Sequence, residues 1–202
     1  MFHKYYGIPN YAKYGESFMS RFPILFQHRK LSMKETCMCW GIECPKGWWH
    51  ILEQLCTVLE FHNLEFKDKY GIAIVADQVK EKFGTLRFYY TVRDVDKDGV
   101  VVEACAEDTR VADDENRRRI VIEYLEMLAD KYIAEAEELT FNTCAKCGVP
   151  LDKDNKVETR GWITYICKDC DQKIQPNEDD EDDTPETQDE DDDVEKEKKD
   201  EE

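Results

Sequence analysis

Between Trp48 and His62 the apolar residues recur at helical spacing. Trp48, Ile51, Leu52, Leu55, Val58 and Leu59 share one face, which predicts an amphipathic helix over 48–62. The period then changes. Gly71-Ile72-Ala73-Ile74-Val75-Ala76 is a short apolar run of strand type that continues through Val79 to Phe83. After a turn at Gly84-Thr85, Leu86, Phe88, Tyr90 and Val92 alternate with Arg87, Tyr89 and Thr91, the pattern of a half-buried strand. Together the two runs predict a β-hairpin. Asp94 to Gly99 reads as a further turn, and Val100-Val101-Val102 as the start of a third strand.

The longest periodic segment begins at Asp113 and runs to about Glu138. Asp113, Asp114 and Glu115 suit the positive end of a helix dipole, and Val121, Tyr124, Leu125, Leu128 and Tyr132 make its apolar stripe. Near the N-terminus Tyr11, Tyr14, Phe18 and Phe22 recur at helical spacing until Pro23 ends the run, and residues 31–46 show no period. The pattern predicts an α+β fold: a small antiparallel sheet packed with two or three helices over residues 1–140, a metal ribbon over 141–175 and an acidic tail over 176–202.

Charge sharpens the last boundary. The chain carries −18, and the tail alone, with 17 acidic residues against three lysines, accounts for −14 of it. Residues 1–175 are left with −4, while residues 1–35 are basic at +4. Val194 is the tail's one aliphatic residue and it has no aromatic one, so it cannot bury enough apolar surface to offset ordering entropy; we expect disorder there. No run of 18 apolar residues and no signal-peptide core is present, which predicts a soluble protein that is not exported by the usual route and has no membrane partner. Nine cysteines in such a chain read as thiols and metal ligands, not as a disulfide framework.

Four of them carry the strongest chemical signal. Cys144-x2-Cys147 and Cys167-x2-Cys170 have the spacing of paired zinc knuckles, with 19 residues between the pairs. Gly148 lets the first knuckle fold back, and Val157 with Thr159, then Trp162, Thr164 and Ile166, predict two short strands around Arg160-Gly161. Four thiolates filling a tetrahedron leave no open position for water, so the expected Zn2+ is structural. A redox Cys-x-x-Cys would call for a thioredoxin-like βαβ context, which this segment lacks.

Other constellations are weaker. Cys37, Cys39, Cys44 and His50 supply four possible ligands within 14 residues, but Cys-x-Cys is not a knuckle spacing; they are a candidate second metal set or buried thiols packed beside Trp40, Trp48 and Trp49. Lys80, Lys82 and Arg87, interleaved with Phe83, Phe88, Tyr89 and Tyr90, suit contact with single-stranded nucleic acid or a solvated strand face. Asp94-x-Asp96-x-Asp98-Gly99 begins like an EF-hand loop, yet Cys105 stands where the closing Glu belongs, so a polar loop is expected. Cys44, His50 and Glu53 are the one group that suits nucleophilic catalysis, with no recognisable motif around them.

The stretches Cys37-Met-Cys-Trp-Gly41, Gly47-Trp-Trp-His-Ile-Leu-Glu-Gln-Leu-Cys56, Val79-Lys-Glu-Lys-Phe-Gly-Thr-Leu-Arg-Phe-Tyr89 and Thr143-Cys-Ala-Lys-Cys-Gly148 resemble, in the same order, a family of short proteins of unassigned activity encoded by tailed bacteriophages and prophages. The likeness spans about residues 20–170. Family members often carry Gly where Thr85 stands and Cys-x2-His where this chain has Cys167-Lys-Asp-Cys170. The resemblance implies a phage gene product acting in the host bacterial cytoplasm, with structural zinc and with a host or phage macromolecule as partner: a protein in the first instance, nucleic acid as the alternative.

Overall fold

The computed structural model describes residues 15–102, 112–159, 161 and 163–174, without the side chains of 112–114. The expectations for Tyr11, Tyr14, Glu103, Cys105, Arg160, Trp162 and the acidic tail, and for the side chains of Asp113 and Asp114, fall outside these residues.

The fold is α+β, as its two sequence periods predict. A short helix α1 (Gly15–Met19) leads into single turns at Gln27–Lys30 and Cys37–Trp40, a two-residue strand β1 (Ile42–Glu43), and the long helix α2 (Trp49–Tyr70). The hairpin follows as β2 (Ile72–Lys82) and β3 (Thr85–Asp94), and after it α3 (Ala112–Phe141). The C-terminal part holds β4 (Lys156–Glu158), β5 (Tyr165–Cys167) and α4 (Lys168–Gln172).

The expected all-antiparallel sheet is corrected by β1. It pairs parallel to β2, with Ile42 opposite Val79 and Glu43 opposite Lys80, so the sheet is mixed and ordered β1-β2-β3. Val100–Val102, expected to be the third strand, makes only a single bridge from Val101 to Val95. Its neighbourhood is a polar loop in which the Asp96 carboxylate accepts the backbone N–H groups of Asp98 and Val100, while Asp94 pairs with Arg118. These carboxylates are spent on backbone and arginine, not gathered for calcium.

The helices differ from their predicted stripes in informative ways. α2 extends eight residues beyond His62 because Asn63 and Phe66 continue its buried face. On α3 the inward stripe is Leu125, Ala129, Ile133, Ala136 and Thr140, and Tyr124 is exposed. Small alanines carry little hydrophobic signal, yet buried Ala129 and Ala136 let α3 approach β3 closely. Along that approach Thr140 Oγ1 accepts the Leu86 N–H at 3.0 Å, Glu137 meets Arg87, Asp130 accepts from the Tyr90 hydroxyl and Arg118 reaches Asp94, so helix and strand run antiparallel. Thr140 thereby takes up one N–H of the edge strand β3 that another strand could otherwise pair with.

Two buried polar side chains on α2 bind the layers together. Asn63 forms a two-way bracket with Ile74 in β2: its Oδ1 accepts the Ile74 N–H at 2.7 Å and its Nδ2 donates to the Ile74 carbonyl at 2.9 Å. Glu60 accepts the N–H groups of Ile24 and Leu25, both at 2.9 Å, and Leu25 in turn accepts from Ala76 of β2. Burial pushes the Glu60 carboxyl above its ordinary value, and the hydrogen bonds from Ile24, Leu25 and Asn63 oppose that rise. Replacing Asn63 with Ala strands two buried groups of the Ile74 peptide, each costing about 1–3 kcal/mol. We predict that Asn63→Ala lowers stability by about 2–4 kcal/mol in urea denaturation; a loss below about 0.5 kcal/mol would show that the bracket is not needed.

Candidate metal centre and the hairpin it holds

The four ribbon cysteines converge. The sulfurs of Cys144, Cys147, Cys167 and Cys170 all lie within 4.8 Å of one another, and Cys147 and Cys167 are 3.6 Å apart. A tetrahedral Zn–S shell has sulfur–sulfur edges of about 3.8 Å, so the set fits a four-thiolate metal site. Local backbone builds it. Cys144 N–H donates to Val149, Gly148 N–H returns to the Cys144 carbonyl, and β4 pairs with β5 so that Cys167 ends the strand and Cys170 sits on α4. Burial raises the Cys144 thiol, but N–H groups of Cys147, Cys167 and Lys146 pointing at its sulfur outweigh burial and hold it down to about 7. Burial and the facing sulfurs push Cys170 up instead. Four such thiols cannot ionise together without a cation between them, which is what a metal supplies.

The cysteine segment is fastened to the core through backbone. Gly47 N–H donates to the Ala145 carbonyl at 2.9 Å, and Trp48, fully buried, donates through Nε1 to the Thr143 carbonyl at 3.0 Å. A Cβ on Gly47 would lie 2.1 Å from the Cys144 carbonyl oxygen, so only glycine fits. Trp48 belongs to the ribbon's small core with Cys144, Leu151, Ile166 and Cys167, not to the α2 stripe that its spacing suggested.

A second contact joins the ribbon to the hairpin. The loop between β2 and β3 is Phe83-Gly84, one residue earlier than expected, with φ of 54° and 77°. Positive φ at both central residues is a type I′ turn, for which Asn-Gly is the favoured pair. The Tyr165 ring packs against Gly84, where a Cβ would come within 2.6 Å of it, and Tyr165 is itself held by Phe141 and by the Lys156 ammonium at 4.0 Å. The ribbon therefore grips the tip of the hairpin.

The remaining sequence candidates separate. Cys37 is exposed, Cys39 and Cys44 are half-buried, and among the described residues no group of metal-ligand side chains other than the ribbon cysteines gathers to binding distance. The second metal set Cys37, Cys39, Cys44 and His50 is thus not assembled. For Cys44, His50 and Glu53, burial and the carboxylates of Glu81 and Glu43 push the Cys44 thiol far above its usual range. Burial lowers His50, opposed by its hydrogen bond to Gly47, and Glu53 is ion-paired with Arg21 at 2.6 Å. A thiol held protonated is a poor nucleophile.

The hairpin set also divides. Arg87 is occupied by Glu137 at 3.2 Å and by Thr85. Lys80 and Lys82 stand free of carboxylates among the described residues and lie over exposed rings: Lys80 over Tyr89 at 5.5 Å and Lys82 over Phe83 at 5.2 Å. Sequence reasoning missed the Gly47 and Gly84 contacts, since a glycine beside Pro45-Lys46 or Phe83 reads only as a turn. It also missed Arg93, which stands on the same face as Tyr89.

No protein-family model, curated protein or solved structure matches this chain. Among the described residues no helix is long and apolar enough to cross a membrane.

Two predictions follow from these contacts. Gly47→Ala in the full chain should cost at least about 2 kcal/mol in thermal or urea unfolding, since backbone must move to admit the methyl; an unchanged midpoint would refute the backbone weld. Phe83→Asn should stabilise the chain by about 1 kcal/mol by placing a residue that tolerates a left-handed backbone in the turn; a destabilisation in the same measurement would show that the Phe83 ring contributes to the fold.

Proposed function

We propose that this chain is a zinc-stabilised, non-enzymatic binding protein, encoded by a phage and acting in the host bacterial cytoplasm, whose hairpin presents the surface that engages a macromolecular partner. The observation that carries this reading is Phe83. A large aromatic side chain stands two-thirds exposed at a turn position with φ of 54°, where Asn or Gly would relieve strain. A sequence that keeps an unfavourable residue on a rigid, exposed tip is spending stability on something other than folding. Lysines over Phe83 and Tyr89 give the tip a positive, aromatic character.

Zinc is the metal this reading assigns to Cys144, Cys147, Cys167 and Cys170, because four thiolates in a tetrahedron favour it. With every position filled by sulfur, its contribution is the folding free energy of the ribbon, and through Tyr165 the rigidity of the tip. The phage assignment is supported by the ordered motifs from Cys37 to Gly148, and a host or phage protein suits it as partner.

The test uses the full chain as bait in bacterial lysate, with metal content measured on the same preparation. We expect one zinc per chain and a captured macromolecule that a Lys80→Glu, Lys82→Glu, Phe83→Asn variant loses. Equal capture by the variant would refute the hairpin surface, and a chain that folds and melts normally without metal would refute the structural zinc.

A further inference from the structure

Along the middle of the hairpin, away from its tip, lies a groove whose chemistry narrows the partner. The segment Met33–Cys37 stands away from the sheet and leaves a space of about 450 Å³, floored by Asp77, Gln78, Tyr89 and Arg93. That is the volume of a small-ligand site and is ample for one nucleotide. Its sheet side is set by a β-bulge between Ala76 and Gln78, which puts Asp77 out of the regular alternation. Thr91 donates to one Asp77 carboxylate oxygen. The other Asp77 oxygen and the Gln78 amide, on two residues that line the groove, make no hydrogen bond among the described residues.

The charges are arranged around a ring. Tyr89 is half-exposed with the Lys80 ammonium 5.5 Å from its ring centre, and Arg93 and Lys34 make no ion pair among the described residues. Glu35, the other acid of the groove, is turned back to Ser32, accepting from both its N–H and its hydroxyl. An aromatic platform, flanked by cations, with a carboxylate and an amide at its edge, is complementary to a base with N–H donors attached to an anionic backbone.

We propose that this groove binds one nucleotide unit of a single-stranded nucleic acid, the base stacking on Tyr89 and its edge meeting Asp77 and Gln78, with phosphates at Lys80, Arg93 and Lys34. The assignment rests on the hairpin being the binding face. It extends that face from the tip to the groove along the hairpin.

Fluorescence anisotropy tests it with the zinc-loaded full chain and a labelled mixed-sequence 20-mer, as DNA and as RNA. The expected result is saturable binding of one or both strands at 50 mM salt that weakens steeply by 200 mM. Tyr89→Ala should weaken it about 5- to 100-fold while Tyr89→Phe keeps it, since stacking needs the ring and not the hydroxyl. Lys80→Ala and Arg93→Ala should each lower the salt slope by about 0.7. A preference between the two strands would identify whether the sugar is read. Because 17 acidic residues follow residue 175, the same measurements are made on a full-length variant with those residues changed to Asn and Gln; binding there that depends on Tyr89 also supports the groove. The proposal fails if neither chain binds either strand, or if binding ignores Tyr89 and Arg93. Should strands not bind while Tyr89→Ala abolishes capture of a protein from nuclease-treated lysate, the nucleic-acid assignment falls and the hairpin face stands. If capture also ignores Tyr89, both fall.

Discussion

The contact on which the arrangement depends is a backbone meeting between Gly47 and the first cysteine knuckle. Two chain segments about a hundred residues apart approach so closely that a single methyl on Gly47 would sit inside the Cys144 carbonyl, and Gly148 on the opposite side faces the Gly47 carbonyl with the same lack of room. Hydrogen bonds from Gly47 and Trp48 fix the register. A metal site is commonly a local clamp on the residues between its ligands. Here its first knuckle is part of the interface with the core, so whatever orders the four sulfurs also orders the start of α2 and, through Tyr165, the hairpin turn.

The core opposite this weld is held by polar groups that would be costly if unpaired. Asn63 and Glu60 sit inside the protein, bonded to each other and to backbone of β2 and of the segment at Ile24–Leu25. Buried groups of this kind specify one register, because a slip leaves them without partners. Apolar residues of α2 and α3 then complete the layers, and Thr140 of α3 takes up the Leu86 N–H of β3. The sheet is therefore covered on one face by α2 and α3, while the other face, partly covered by the segment around Ile24, leaves Tyr89 and Arg93 exposed.

Much of this is legible in the chain. The change of period after residue 70 marks the hairpin, since strand alternation from Leu86 to Val92 is a local signal. The cysteine spacing locates the four-sulfur cluster, because thiolates paired at i and i+3 suit a tetrahedral metal site. What stays hidden is set by distant contacts. β1 is two residues long and exists only because β2 offers it an edge; the Ala129 and Ala136 contacts carry no hydrophobic signal above background; Gly47 reveals its role only when Cys144 arrives. The same holds for the site: Lys80, Lys82 and Arg87 look equivalent as a run, and it takes Glu137 on α3 to remove Arg87 and the bulge at Asp77 to bring in Arg93.

The central claim is that metal in the ribbon rigidifies the hairpin tip. Amide hydrogen exchange read residue by residue, on the full chain before and after metal removal by a chelator, tests it most directly. The account predicts that protection at Gly84 and Leu86, whose N–H groups bond Glu81 and Thr140, falls together with that of Cys144 and Cys167 when the metal leaves, while Ile74 at the Asn63 bracket keeps its protection. Protection at Gly84 and Leu86 that survives metal loss unchanged would contradict it.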